Sequence, residues 1–185
     1  MSTPVLGSLA LLPYRDRPDL LADPVQAVLD TDAGLARAAY VVAIDPDLAD
    51  TAALTEAYDL PDEASANCVV VLGRRGEDER LAACVALADS RVDVNKAVRK
   101  RLDVRKCSFA PQERAVGETG MEYGGITPVG VPADWPVLVD RRVTESDWVV
   151  LGSGLRRSKL VLAGSALADL PGAEIGDFAT VVSSA

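Results

Sequence analysis

The sequence predicts an α/β protein of the α+β type, a mixed β-sheet with flanking helices, on three observations. β-rich runs alternate with helically spaced segments, but without the strict strand–helix rhythm of a wholly parallel sheet. A hairpin signal stands at the centre, where Cys68–Leu72 and Leu81–Leu87 flank the polar, glycine-containing stretch GRRGEDER. The length of 185 residues, with 49% hydrophobic and 25% charged side chains, suits one domain around a full apolar core.

From the amino terminus, Pro24–Asp30 reads as a short helix entered through Asp23 as N-cap. Ala38–Ile44 (AAYVVAI) is a strand ended by the Asp45-Pro46 turn signal, and Leu48–Tyr58 has helical spacing closed by Leu60-Pro61. After the hairpin, Val94, Val98 and Leu102 form an apolar stripe with basic residues around it, an amphipathic helix started near Ser90 or Asp93. Cys107–Ala110 is a short strand, and Pro111 opens a helix running to Thr119. Val137–Asp140, Trp148–Leu151 and Lys159–Leu162 are strands, followed by a helix around Ser165–Leu170 and a strand near Glu174–Phe178. Repeats, low-complexity tracts and linkers are absent, so residues 1–185 read as one domain.

Composition narrows the chemistry. The chain has no histidine, which removes Ser-His-Asp and Cys-His nucleophile systems and every histidine-containing metal site. Neither a metal nor another cofactor is expected; catalysis would draw on carboxylates, lysine, hydroxyls, backbone dipoles or the substrate's own groups. Cys68, Cys84 and Cys107 lack paired spacing and sit among apolar neighbours, which reads as buried reduced thiols. No run approaches the roughly 18 uninterrupted apolar residues of a membrane span, and no basic stretch opens a signal peptide. A cytoplasmic protein is expected.

The net charge of −9 argues against nucleic acid until its distribution is considered. Residues 1–66 hold 12 acidic and 3 basic side chains, whereas residues 67–185 hold 16 of each. Within the neutral part, Arg91–Lys106 carries seven basic residues against Asp93 and Asp103. Lys96, Arg99, Lys100, Arg101 and Arg105 are candidate phosphate contacts; the other reading is a solvated helix face. Without interleaved aromatics, this segment offers no platform for stacked bases.

Two glycine loops are candidate ligand elements. MEYGGITPVG (Met121–Gly130) lacks the nucleotide-loop patterns, so it is either a close-approach loop around Gly124 and Gly125, stiffened by Pro128, or an ordinary turn. LGSGLRRSK (Leu151–Lys159) either lines a pocket with Gly152, Ser153 and Gly154, its Arg156, Arg157 and Lys159 meeting phosphates at the rim, or is a glycine-rich hairpin. Two such loops after apolar runs suggest a shared cleft.

In order, these segments resemble the YbaK/prolyl-tRNA synthetase-associated domain family. The resemblance is carried by the basic helix, a helix ending at Thr119-Gly120, GGITPVG, PVLVD (Pro136–Asp140), the Gly152–Gly154 loop and LPGA (Leu170–Ala173). It covers roughly residues 60–180, and residues 1–60 match in general shape. It implies a mixed, strongly twisted sheet and a metal-independent editing deacylase that hydrolyses the ester of mischarged aminoacyl-tRNA. Aminoacyl-tRNA is the implied partner, with an aminoacyl-tRNA synthetase as a second candidate.

The resemblance also implies the site residues. Gly124, Gly125, Ile126, Thr127 and Pro128 would line the pocket, with Gly124 and Gly125 keeping it open and offering N–H donors to the ester carbonyl. Gly152, Ser153 and Gly154 would form the facing wall, and Asp140 would end the strand beside it. The family usually carries a lysine in a short K-[ST]-L-type segment before the central hairpin, but the matching place here is Ser65–Val71, SANCVVV. Asn67 is the nearest polar candidate, a hydrogen-bond donor without a charge. An alternative is therefore a non-catalytic binding module of the same fold.

Overall fold

The central hairpin runs well past its apolar stretches. In the computed structural model, which describes residues 3–182, the chain forms β1 (Leu12–Pro13), α1 (Asp23–Thr31), α2 (Ala33–Ala36), β2 (Tyr40–Ala43), α3 (Thr51–Ala57), β3 (Ala66–Arg75) and β4 (Asp78–Leu87). There follow β5 (Ser90–Val92), α4 (Arg99–Arg101), β6 (Lys106–Phe109), α5 (Gln112–Thr119), β7 (Val137–Asp140) and α6 (Arg141–Glu145). The chain continues through β8 (Val149–Gly152), β9 (Ser158–Leu162), β10 (Ala173–Gly176) and β11 (Ala179–Val181). β3 and β4 pair antiparallel from Ala66↔Leu87 to Arg75↔Asp78, turning through Gly76 at φ +64°. Apart from Glu77 in the turn, the charged residues of GRRGEDER are ladder residues, held in part by Arg74 Nε donating to Glu79 Oε1 at 2.9 Å.

The strands divide between sheets. A five-stranded mixed sheet has the order β10-β7-β4-β3-β6, with β10, β7 and β4 parallel and β3 antiparallel to both its neighbours. An antiparallel sheet has the order β1-β2-β9-β8, and β5 pairs with β11 in a ribbon. Ser65 bridges to Val150 and ties the start of β3 to β8. The two sheets meet over the main core, where Leu151, Leu160 and Leu162 pack with Cys68, Val85, Val139 and with Val25 and Leu29 of α1. Each such side chain contributes about 1.5–3 kcal/mol on burial. The other face of the four-stranded sheet, at Tyr40, Val42, Val150 and Val161, is covered by Leu54 of α3 together with Leu60 and Ala64.

The basic segment keeps its expected stripe but not a regular helix. Val94–Val98 is a π-helical turn, in which Val98 N–H reaches the Asp93 carbonyl at 3.1 Å, and only then does α4 begin. Val94, Val98 and Leu102 pack on Val71, Cys84 and Leu138. These residues alternate along their strands with Cys68, Val70, Val85 and Val139, so the basic segment covers the opposite face of the sheet. Asp23 is not an N-cap: it is the first residue of α1, and the cap position is Ala22, whose N–H is held by the Ser153 carbonyl at 3.0 Å. Asp50 does cap α3, accepting from Ala52 N–H at 3.1 Å. The expected helix at Ser165–Leu170 is a 3-10 helix over Gly164–Asp169. Among the described residues, no helix is long and apolar enough to cross a membrane.

Asp140 fastens the carboxyl-terminal segment. Buried at the end of β7, it accepts from Arg142 N–H at 3.2 Å, Phe178 N–H at 3.0 Å and Ala179 N–H at 2.8 Å. The first bond caps α6, and the other two hold the turn between β10 and β11. With all three donors orphaned, Asp140→Ala is expected to destabilise the fold by about 2–4 kcal/mol, read as a lowered denaturation midpoint in urea. Asp140→Asn, which keeps one acceptor oxygen, is expected to cost less.

Candidate functional site

The site opens where β3, paired with β4 on one edge, lacks a strand partner on the other. β6 pairs with β3 only from Val71 to Arg74, and Ala110 N–H closes on the Val70 carbonyl at 2.9 Å. Between that contact and the Ser65–Val150 bridge, β3 borders a cleft of about 620 Å³. Asn67 and Cys68 form one wall, and Gly152 and Lys159, directly paired across β8 and β9, form another. Tyr123, Gly124 and Ile126 come from the first glycine loop, and Asp50 and Thr51 from the start of α3. Phe109, Gln112 and Arg156 complete the ring of larger side chains.

The two glycine loops are joined backbone to backbone. Glu122 N–H donates to the Gly154 carbonyl at 2.8 Å, and Gly154 N–H donates to the Gly125 carbonyl at 2.7 Å. Arg156 N–H adds a bond to Glu122 Oε2 at 2.6 Å. A Cβ on Gly125 would lie 2.5 Å from the Leu155 carbonyl carbon, and one on Gly152 would lie 2.2 Å from the Gly125 oxygen. The glycines are thus required by close approach of main chain to main chain. Gly124 alone of the GG pair has a positive φ, +85°, and it lines the cleft.

This places the predicted site residues unequally. Asn67, Gly124, Ile126 and Gly152 line the cleft. Gly125 does not: its N–H is bonded to the Glu122 carbonyl at 2.9 Å, so it has no donor to offer an ester. Ser153 is buried and bonded to Ser158 Oγ at 2.8 Å, and Ser158 in turn reaches the Leu20 carbonyl at 2.7 Å; both hydroxyls hold the loop together. Gly154 faces Ala22 and Val25 of the α1 region. Thr127 and Pro128 are buried behind the loop, and the Thr127 hydroxyl has no partner among the described residues. Asp140 is engaged with the carboxyl-terminal segment. Of the basic residues, Lys96, Arg99, Lys100 and Arg105 are exposed, while Arg101 makes a bidentate pair with Glu174.

Other cleft residues carry chemistry that the sequence misplaced or left unmarked. Lys159 is a buried strand residue, not a rim residue, at 6% exposure. Its Nζ donates to the Ala49 carbonyl at 2.7 Å, and burial lowers its pKa to about 8, with the nearby Asp50 carboxylate opposing and Arg156 reinforcing that shift. Cys68 also faces the cleft, but burial pushes its thiol up to about 12, which leaves it un-ionised and a poor nucleophile. Cys84 is buried as expected, whereas Cys107 is only half-buried. Phe109 and Tyr123, at 56% and 58% exposure, are the two exposed aromatic residues of the described chain, and both border the cleft. Lys159 had one legible signal, a lysine next to the apolar run LVL; the aromatic pair had none, since Phe109 and Tyr123 meet only in the fold.

The chain matches the sequence profile of the aminoacyl-tRNA editing domain over residues 45–170, and it belongs to that family. Every residue lining the cleft lies within the matched segment. A Bacillus subtilis (strain 168) protein, the uncharacterized YwhH, is 30% identical over 98 residues, which is 53% of this chain and 61% of YwhH. The chain thus aligns with about three fifths of that relative's length. Among solved structures, a protein proposed as a trans-editing enzyme for prolyl tRNA synthetase superposes with a TM-score of 0.71 at 21% identity. That match covers 84% of this chain and 94% of the other. The hypothetical protein APE2540 gives 0.67 at 20% identity, over 76% and 90% of the two chains. These two similarities establish the mixed α/β editing-domain fold.

Because Gly125 is packed against backbone, Gly125→Ala is expected to act on stability before it acts on any ligand. Separating the loops should cost about 1–3 kcal/mol and lower the Tm by roughly 3–10 °C. An alanine variant with the wild-type melting curve would show that the loops can part freely.

Proposed function

We propose that the protein is a deacylase that hydrolyses the ester linking a mischarged amino acid to the terminal ribose of a tRNA, releasing free amino acid and tRNA in the cytoplasm. The observation that supports this most is that the editing-domain segment supplies the entire lining of the cleft. An aminoacyl group would enter between β3 and the β8–β9 wall, with the Asn67 side chain as a neutral donor or acceptor beside it. Water attacks the carbonyl carbon, the bond to the ribose oxygen breaks, and that oxygen takes up the proton given up by the water. An ester needs less activation than an amide, so oriented donors and the substrate's own ribose hydroxyl assist in a water-poor pocket.

The same reading gives roles to aromatic groups bordering the cleft and to basic groups beyond it. Phe109 and Tyr123 would stack on the terminal base, supplying the aromatic surface that the basic segment lacks. Lys96, Arg99, Lys100 and Arg105 would touch tRNA phosphates, with β6 leading from that segment at Lys106 to the cleft at Phe109. An aminoacyl-tRNA synthetase is the natural second partner.

The test is a deacylation assay over a panel of mischarged tRNAs. At least one ester should be cleared well above the protein-free rate, with activity surviving EDTA and, given the raised pKa values of the buried Cys68 and Cys84 thiols, iodoacetamide treatment of the native protein. A panel left intact by folded protein would refute the deacylase and favour a binding module. Replacing Phe109 or Tyr123 with alanine should raise KM for the cleared tRNA by roughly tenfold, as expected for about 1–3 kcal/mol of stacking per base, with little change in kcat.

A further inference from the structure

Strand β9 is buried at every position from Ser158 to Leu162, yet its second residue is a lysine. Removing an ammonium from water is costly unless an anion accompanies it. The Lys159 ammonium is instead bonded to a neutral acceptor, the Ala49 carbonyl at 2.7 Å. An ammonium has three donors, so two are left over beside the cleft that the side chain lines. Its strand neighbours across the ladder, Val42 and Gly152, bring no charge. The charged groups acting on it are Asp50, at the start of α3, and Arg156, in the loop before β9. A valine or leucine would fill this position at lower cost, so packing does not account for the lysine.

We propose that Lys159 is a catalytic residue of the cleft, donating a hydrogen bond from its ammonium to the ester carbonyl oxygen and stabilising the negative charge that develops there. This rests on the deacylase reading and names the group that performs it. The water oxygen bonds to the carbonyl carbon, and the carbonyl electron pair moves onto the oxygen facing Lys159. When that pair returns, the ribose oxygen leaves and takes the proton lost by the water. Lys159 begins and ends as an ammonium and transfers no proton. With a pKa of about 8 it is mostly charged at pH 7, and it is a stronger hydrogen-bond donor than an ordinary lysine.

The experiment compares wild type with Lys159→Met, which keeps the length and apolar stem of the side chain. Three readouts are taken: the melting curve, the pH profile of deacylation, and binding of a non-hydrolysable amide-linked aminoacyl adenosine. The variant should melt no lower than wild type, while kcat/KM falls roughly 10²–10³-fold. After subtraction of uncatalysed hydrolysis, the wild-type rate should fall as pH rises through about 8, where the ammonium is lost, and the variant's residual rate should lack that limb. The amide analogue should bind wild type at least about tenfold more tightly, the equivalent of one charge-assisted hydrogen bond. A folded variant with the wild-type rate and pH profile overturns the proposal and leaves the deacylase intact. If wild type hydrolyses no tested ester but binds the amide in a Lys159-dependent way, the deacylase reading fails and the carbonyl contact stands. If neither activity nor binding depends on Lys159, both fail. Should the variant not fold, NMR titration of the wild-type Lys159 side chain decides: the amide analogue should raise its midpoint, and an unmoved midpoint overturns the proposal.

Discussion

The structure around the cleft depends on one contact, the interlocking of residues 121–126 with residues 152–156. Backbone bonds at 2.7 and 2.8 Å hold the two loops at a distance no side chain could occupy. That contact fixes Gly124 and Ile126 over the cleft, and it places Arg156 beside Glu122. Beside it, the β8–β9 ladder pairs Gly152 with Lys159 and so places the lysine at the cleft. α1 is drawn into the same assembly, because Ala22 bonds to Ser153 and Gly154 lies against Ala22 and Val25. Cleft shape is therefore a property of main-chain packing, and side chains are hung on it afterwards.

Electrostatics in the cleft follow from the same arrangement. Arg156 and Lys159 face it together with Asp50, so the lining is cationic in a protein of net charge −9. The acidic first third and the cationic cleft give the chain a charge asymmetry that would orient an anionic partner toward the cleft. The thiol that shares the lining, Cys68, is kept neutral by burial. Nucleophilic chemistry by cysteine is thus disfavoured in the cleft.

Much of this was legible in the sequence. Strand Val137–Asp140 is reproduced residue for residue, and the hairpin was marked by its flanking apolar runs. Both glycine loops were recognisable as candidate ligand elements, the first as either a close-approach loop or an ordinary turn. What they approach was not, because Gly125 and Leu155 are separated by thirty positions and meet only once the sheets are assembled. Asp140 illustrates a second limit: a carboxylate closing an apolar strand looks like a site residue, and its three amide partners lie partly in a segment nearly forty positions later. Lys159 illustrates a third. Two residues after the exposed Arg157, it read as one more rim cation, but β9 is covered on both faces and its lysine goes inside. The sequence carried no lysine on β3, yet the fold brings one to the same cleft from the opposite sheet.

The anchoring of residues 178 and 179 by Asp140 bears on how the chain is made. A ribosome exposes β7 well before the two amides that satisfy the Asp140 carboxylate have been synthesised. At about 5–20 residues per second, that interval lasts several seconds. During it, β7 can pair with β4, but its other edge, which β10 will occupy, stays open. The nascent chain thus passes through a stage with an exposed sheet edge and an unsatisfied acidic group beside it. A charge there opposes edge-to-edge association with another nascent chain, so the residue that locks the finished sheet also guards the unfinished one.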